Sequence, residues 1–257
     1  MRRAFQPAIS MTGDFARRLG GAALDLVYPP VCCACRRATA AQDALCAQCW
    51  SAMRFIERPY CERLGAPFPA DLGQSGLLSP EAVADPPAFG RARAVALFAD
   101  GPARLLVHRL KYYDRMEVAR PMARWMARAG AELIAEADAL TPMPMHRLRL
   151  AQRGYNQAAT LASALSRETG APVLHALERV RNTTPQVGLS RAQRARNLQG
   201  AFRTPEAARL GVLDRRLLLV DDVMTSGASA NAAARALLRA GAKSVDVLCF
   251  ARVVSGG

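Results

Sequence analysis

Residues 217–229 read LLLVDDVMTSGAS. An apolar run, Leu217 to Val220, meets two adjacent carboxylates, Asp221 and Asp222, and then a loop of small and hydroxyl-bearing residues. A short continuous apolar run bounded by polar residues predicts a strand buried on both faces, here 216–220. The following SGASANAAARALLRAG (226–241) has helical character and closes on Gly241, and SVDVLCFARVV (244–254) reads as the next strand. Strand, loop, helix and strand in that order predict an α/β fold with a doubly wound parallel sheet flanked by helices. In such sheets ligands lie beyond the carboxyl ends of the strands, which is where the acid pair falls. The loop opens a helix, whose free N–H groups and partial positive charge hold phosphate. Gly227 admits close approach, and Thr225, Ser226 and Ser229 add hydroxyl donors. No GxxxxGK run and no loop lysine are present, so a monophosphate with hydroxyl groups beside it fits better than a triphosphate. Those hydroxyls would donate to the carboxylates.

Outward from this stretch the same alternation continues. RARAVALFA (91–99) predicts a strand and GPARLLVHRLKYY (101–113) a helix. Residues 117–137 continue helical, with breaks expected near Pro121 and Gly130. ADALTPMP (137–144) predicts a strand, 155–168 a helix stopped by Gly170, and APVLHAL (171–177) a short strand. Residues 58–88 are rich in Pro and Gly and read as linker. At the N-terminus, Phe15, Leu19, Ala22, Ala23 and Leu26 fall at helical spacing and predict an amphipathic helix. The expected organisation is an N-terminal helix over 1–28, a small cysteine-rich domain with its linker over 29–87, and the α/β domain over 88–257.

Five of the seven cysteines lie between residues 32 and 49. Cys32-x-x-Cys35 and Cys46-x-x-Cys49 are two short turns, each bringing two sulfurs to one point, and four thiolates complete a tetrahedral Zn²⁺ site. So short a segment has almost no core of its own, and metal binding would supply its folding energy. Four cysteines leave no open coordination position, so the zinc is structural. Cys33 competes with Cys32, but Cys33-x-Cys35 is tighter than the usual spacing. Cys249, inside an apolar run, reads as a small buried hydrophobe.

The chain of 257 residues is 51% hydrophobic, enough for a real core, and carries a formal charge of +14. That charge predicts attraction to polyanions, although an arginine-rich composition accounts for part of it. No run approaches the ~20 apolar residues of a membrane span, and the basic N-terminus lacks the apolar stretch of a signal peptide. A soluble, cytoplasmic protein is expected, with no membrane span. Aromatic residues are 6% of the chain and form no cluster suited to stacking bases. Trp50 and Trp125 read as packing residues, and His108 and His175 have no site context.

VDDVMTSGAS resembles the phosphoribosyl pyrophosphate (PRPP) motif of the type I phosphoribosyltransferases. Together with YPP-x-C before the first cysteine turn, HRLKY (108–112), PMPMHRLRLAQRGYNQA (142–158) and RNTTPQVGLSRAQRARNLQGAF (181–202), it makes nearly the whole chain similar to the ComF family, named for competence for DNA uptake. The resemblance implies a type I phosphoribosyltransferase-like sheet with a small N-terminal zinc ribbon. It implies that Asp221 and Asp222 are catalytic and hold the ribose hydroxyls. Met224, Thr225, Ser226, Gly227, Ala228 and Ser229 would bind the 5′-phosphate side of PRPP. The turn after Pro144, with His146, Arg147 and Arg149, would face the pyrophosphate, accompanied by Mg²⁺. Arg181, Gln186, Arg191, Arg194 and Arg196 would belong to a flexible loop that closes over the ligand. Lys111 and Tyr112 read either as an ordinary helix face or as part of the site.

Two departures stand out. The family often carries a further CxxCGxP element, which here reads CERLGAP, with Leu64 where Cys61 would find its partner; one zinc is therefore expected rather than two. TSGAS stands where TTGAT is usual, which keeps the hydroxyl. Two functions remain open: a phosphoribosyltransferase acting on an unspecified nitrogen acceptor, or a single-stranded-DNA-binding or DNA-uptake-motor-associated protein whose PRPP pocket is regulatory. No segment specifies the acceptor or the oligomeric state.

Overall fold

The computed structural model describes residues 28–70, 73, 76–112, 116–181 and 198–254. The predicted N-terminal helix and the loop residues Gln186, Arg191, Arg194 and Arg196 lie outside the described residues.

The α/β part is built on β1 (Ala92–Leu97), β2 (Ala139–Pro142), β5 (Arg216–Met224) and β6 (Ser244–Arg252). They form one parallel sheet in the order β1-β6-β5-β2. A separate two-residue antiparallel ribbon pairs β3 (Glu178–Arg179) with β4 (Phe202–Arg203). The helices are α1 (Ala47–Ala52), α2 (Pro80–Ala84), α3 (Pro102–Tyr112), α4 (Ala119–Ala129), α5 (Ala131–Glu136), α6 (Arg147–Arg153), α7 (Gln157–Thr169), α8 (Arg209–Val212) and α9 (Ala228–Arg239). Strand β5 is central, so the pleat sends its apolar residues to two cores. Leu217 and Leu219 join α9 on one face, and Leu218 and Val220 join α3, α4 and α7 on the other. Each such leucine contributes about 1.5–3 kcal/mol by leaving water. Buried alanines of α9 at 230, 233, 234 and 236 let that helix lie close on the sheet.

Three expectations need correction. Strand β5 runs to Met224 rather than stopping at Val220, so the acid pair lies within the strand. The stretch 171–177 makes only one parallel bridge, Val173 to Leu140, because Pro172 offers no N–H and the chain then leaves the sheet. The break expected near Pro121 does not occur: Pro121 sits in the first turn of α4, where its missing N–H costs nothing. The break at Gly130 is real. A Cβ there would meet both Leu248 Cδ atoms at 2.7 Å, so only glycine lets the α4–α5 corner approach the sheet.

Residues 28–87 wrap the β1 edge of that sheet. Ile56 N–H donates to Val95 O at 2.9 Å and Leu97 N–H to Arg54 O at 2.9 Å, so this segment pairs with β1 and covers its open edge. Cys32, Cys49 and Met53 pack into the core on one face, while Cys61, Leu64 and Ala82 pack into the core on the other. Arg93 on β1, only 3% exposed, fastens the second half. It donates to Glu62 O at 2.8 Å and Glu132 Oε1 at 2.7 Å, pairs with the Glu62 carboxylate, and lies 4.7 Å from the Tyr60 ring. Gly65 is held with φ +64°, and a Cβ there would stand 2.3 Å from Ala92 O. We therefore expect Gly65→Ala to destabilise the fold by about 2–4 kcal/mol, from strain plus overpacking, as measured by denaturant unfolding.

Candidate metal centre and ligand site

Cys32, Cys35, Cys46 and Cys49 converge, their sulfurs all within 4.8 Å of one another and the Cys35–Cys46 pair 3.6 Å apart. Tetrahedral thiolates about 2.3 Å from Zn²⁺ need sulfurs about 3.8 Å apart, so the donor set fits the metal. Burial opposes ionisation of Cys32, but backbone N–H groups around it prevail and bring its thiol down to about 6, favouring the ligating form. Cys33 stays outside the cluster. Burial and the neighbouring Cys32 push its thiol up to about 12.

The Pro and Gly of residues 58–88 predict a linker; instead the described residues of 59–84 repeat this ribbon without its four-cysteine ligand set. A backbone bridge joins Val31 to Ala38 in the first half and Tyr60 to Pro67 in the second. Cys32 N–H donates to Arg37 O at 2.7 Å, and Cys61 N–H to Ala66 O at 2.8 Å. Thr39 N–H donates to Pro30 O, and Phe68 N–H to Pro59 O, both at 3.0 Å. Cys33 N–H donates to Ala44 O at 3.0 Å, and Glu62 N–H to Leu77 O at 2.9 Å. Arg36 and Gly65 occupy the same left-handed position, with φ 68° and 64°. Cys46 stands at the N-cap position of α1 as Ser79 does at that of α2, where the Ser79 hydroxyl also accepts the Ala82 N–H. The four ligand positions thus map onto Cys61, Leu64, Ser79 and Ala82. The Cys61 sulfur accepts from Leu64 N–H at 3.4 Å and Ser79 N–H at 3.2 Å, and Leu64 and Ala82 are buried. Apolar packing and two N–H···S bonds stand where the metal would be. Among the described residues, the Cys32 group is the only His, Cys, Asp or Glu cluster arranged to hold a metal.

The second site lies at the carboxyl end of β5. Asp222 is 7% exposed, and its carboxylate pairs with Lys111 Nζ at 2.7 Å, which brings Lys111 of α3 beside the acid pair. Asp221 is half-buried, and its Oδ1 accepts the Asp222 N–H at 2.9 Å. Burial and the like charge of Asp222 push the Asp221 carboxyl up to about 8. Gly227, with φ +75°, is the N-cap of α9, and the Ser226 hydroxyl beside it is buried without a partner. Thr225 is exposed and Ser229 half-buried.

The turn after Pro144 is the helix α6, capped by His146 Nδ1, which accepts Leu148 N–H at 3.4 Å. Arg147 and Arg149 lie exposed in its first turn. The α6–α7 corner is fixed by Gly154 at φ +79° and by Asn156, which donates to Met143 O at 2.9 Å and caps Ala158 N–H at 3.0 Å. Arg181 donates to Gln199 O at 2.8 Å, and Val180 N–H to Ala201 O at 2.9 Å, which extends the β3–β4 pairing.

The predicted residues do not share one cavity. His146 and Arg147 line a cavity of about 470 Å³ with Asn156, His175, Arg179 and Arg203. Met224, Ser226, Gly227 and Ala228 line another of about 680 Å³ with Phe89, Phe202 and Arg252. The β3–β4 ribbon contributes to the walls of both. Arg179 opens the arginine-rich 179–203 segment that resembles the closing loop, and its burial sets it apart from the other described arginines there. Burial, then the charge of Arg149, hold its guanidinium below the usual arginine range, while Asp221 acts in the opposite sense.

Residues 23–81 match the family model of the double zinc ribbon domain, and residues 151–256 that of the phosphoribosyl transferase domain. The chain is 33% identical over 244 residues to the DNA utilization protein YhgH of Escherichia coli O157:H7, covering 89% of this chain and all of that protein. It is 28% identical over 218 residues to competence protein F of Haemophilus influenzae, covering 82% of this chain and 92% of that one. A solved glutamine phosphoribosylpyrophosphate amidotransferase from B. subtilis aligns at a TM-score of 0.34 and 20% identity, over 55% of this chain and 30% of that one. No helix among the described residues is long and apolar enough to cross a membrane.

Two outcomes are expected. Metal analysis of purified protein should find one zinc per chain, lost in Cys35→Ser and kept in Cys61→Ser; two equivalents would refute the metal-free second half. Folding raises the Asp221 pKa, so its ionisation erodes stability as pH climbs from the unfolded value of 3.8 toward about 8. Asp221→Asn should therefore raise the melting temperature, by a margin that grows from acid pH and levels above about 8.

Proposed function

Because the chain belongs to the ComF family, with the YhgH proteins and competence protein F, we propose that it binds PRPP with Mg²⁺ and transfers the phosphoribosyl group to a nitrogen acceptor. The observation that carries this reading is the acid pair near the carboxyl end of β5, with the short loop 225–227 leading to a helix N-terminus beside the Ser226 hydroxyl, which is buried without a partner among the described residues. The 5′-phosphate takes the N–H groups opening α9 and the Ser226 hydroxyl, with Thr225 and Ser229 at its rim. The ribose hydroxyls donate to the Asp221 and Asp222 carboxylates, and Lys111 holds Asp222 in place. His146, Arg147 and Arg149 face the pyrophosphate from the start of α6, and Arg179, which lines the same cavity as His146 and Arg147, feels the charges of both Arg149 and Asp221. The acceptor nitrogen bonds to C1 of the ribose as the C1–O bond to pyrophosphate breaks, and the acceptor gives up its proton.

Mg²⁺ bound to pyrophosphate takes most of its oxygens from ligand and water and needs only one or two carboxylates. Asp221, which forms no ion pair among the described residues, offers such an oxygen; the ion neutralises the leaving group. Asp221 and Asp222 also favour the positive charge that develops on the sugar. Arg181, Gln186, Arg191, Arg194 and Arg196 would belong to the basic loop that closes over the ligand and excludes water. All seven cysteines are free, in keeping with a reducing cytoplasm.

A second reading, contact with single-stranded DNA or a DNA-uptake motor, draws on the relatives' names and on α6. No residue of that helix is buried, and it displays Arg147, Arg149 and exposed Leu148 and Leu150. Calorimetry separates the two. PRPP with Mg²⁺ should bind the intact protein, and Asp221→Asn/Asp222→Asn should weaken it at least about tenfold, the loss of roughly one or two charge-assisted hydrogen bonds. No uptake of PRPP by the intact protein would end the first reading. The second requires DNA affinity that falls steeply with salt and drops when Arg147 and Arg149 are neutralised.

A further inference from the structure

Arg252 ends β6 beside Met224 of β5, with its side chain 93% out of solvent: it is 7% exposed. Its Nε and NH1 have no hydrogen-bond partner, and among the described residues it forms no ion pair. Burial alone holds its guanidinium below the usual arginine range, and Glu81 acts on it only through space. A buried cation with unused donors is costly to the fold, and such groups are normally paired. The donors have a cavity to serve. Arg252 lines the space of about 680 Å³ that also holds the unpartnered Ser226 hydroxyl and Gly227. The volume lies in the ~300–1,000 Å³ range of small-molecule pockets. The lining is mixed: Phe89, Leu198, Phe202 and Met224, all nearly fully buried, give it an apolar side, while Glu81 and Asp85 stand against Arg235, Arg239 and Arg252, an excess of one positive charge. The ring of Phe89 comes within 3.9 Å of where a Gly227 Cβ would stand, directly beneath the phosphate loop.

We infer that this cavity, between the metal-free half of the ribbon and the end of β6, receives the acceptor. The fitting chemistry is a planar aromatic molecule bearing a carboxylate or an equivalent pair of oxo oxygens, seated against Phe89 and gripped by the Arg252 fork. Guanidinium and carboxylate match in a two-bond geometry, which an apolar wall makes more selective. That the ligand is an acceptor rests on the phosphoribosyl reading; that it is an aromatic anion rests on the cavity alone.

The test is calorimetry on the zinc-loaded full chain, with nicotinate and benzoate as anionic probes and their neutral amides as controls. The acids should bind at least tenfold more tightly than the amides. Arg252→Met should remove that preference and leave PRPP binding within about threefold. Its melting temperature should be no lower than that of the unmodified chain, since an apolar residue replaces an unpaired buried charge. Ala232→Phe, which fills the cavity from α9 and keeps Arg252, should abolish binding of the acids. Equal affinity for acids and amides, no binding of the acids at about 10 mM, or a tenfold loss of PRPP binding in Arg252→Met would each overturn the inference. If the intact chain takes up no PRPP but still binds the acids through Arg252, the transferase reading falls and the aromatic-anion site stands.

Discussion

Strand β5 has a parallel partner on each side and a hydrophobic core on each face. A strand so enclosed tolerates polar side chains only near its carboxyl end, past its pairing with β2, and the acid pair of the candidate site lies there. Asp221 and Asp222 sit there because four apolar residues precede them and leave no other exit for charge. The neighbouring strand ends the same way, in Arg252. Lys111 reaches Asp222 from α3, and Asp221 acts through space on Arg179 of the β3–β4 ribbon. The site is thus a meeting of chain segments distant in sequence, brought together by where one buried strand stops.

The cysteine-rich segment solves a different problem. Strand β1 is an edge strand, and an open edge invites pairing with other chains. Residues 54–56 pair with it, and the two halves of the ribbon fold down on opposite faces. Both halves keep the same backbone hydrogen bonds, so the turn geometry comes from the backbone and not from the metal. Where Cys35, Cys46 and Cys49 have become Leu64, Ser79 and Ala82, the second half merges with the main core, and Arg93 with Glu62 and Glu132 ties it down. Its surface also becomes a wall of the larger cavity.

Most of the sheet was legible. The β5–α9–β6 unit announces itself through an apolar run, a small-residue loop and a helix closed by glycine. The four zinc ligands were equally plain, because spacing alone specifies them. The sequence was silent where structure depends on neighbours. Helix α6 has no buried face, so it shows no apolar periodicity, and its place was read as a turn. Val173 makes one bridge instead of a strand because Pro172 has no N–H to give. Arg179 and Arg252 look like any of the many arginines of this chain until burial sets them apart, although a charged residue ending the run VDVLCFAR was a usable clue. The second ribbon was hidden because its likeness to the first is in backbone hydrogen bonds, and only Cys61 survives of its ligands.

The two halves of the ribbon answer to different variables. The first half responds to the free concentration of a metal, as a titration would, while the second responds to temperature and denaturant with the rest of the core. A cell starved of zinc would loosen the cover on one face of β1 while the face lining the larger cavity stayed shut. With Leu64, Ser79 and Ala82 at the three positions that match Cys35, Cys46 and Cys49, the wall of the larger cavity stands independent of metal supply.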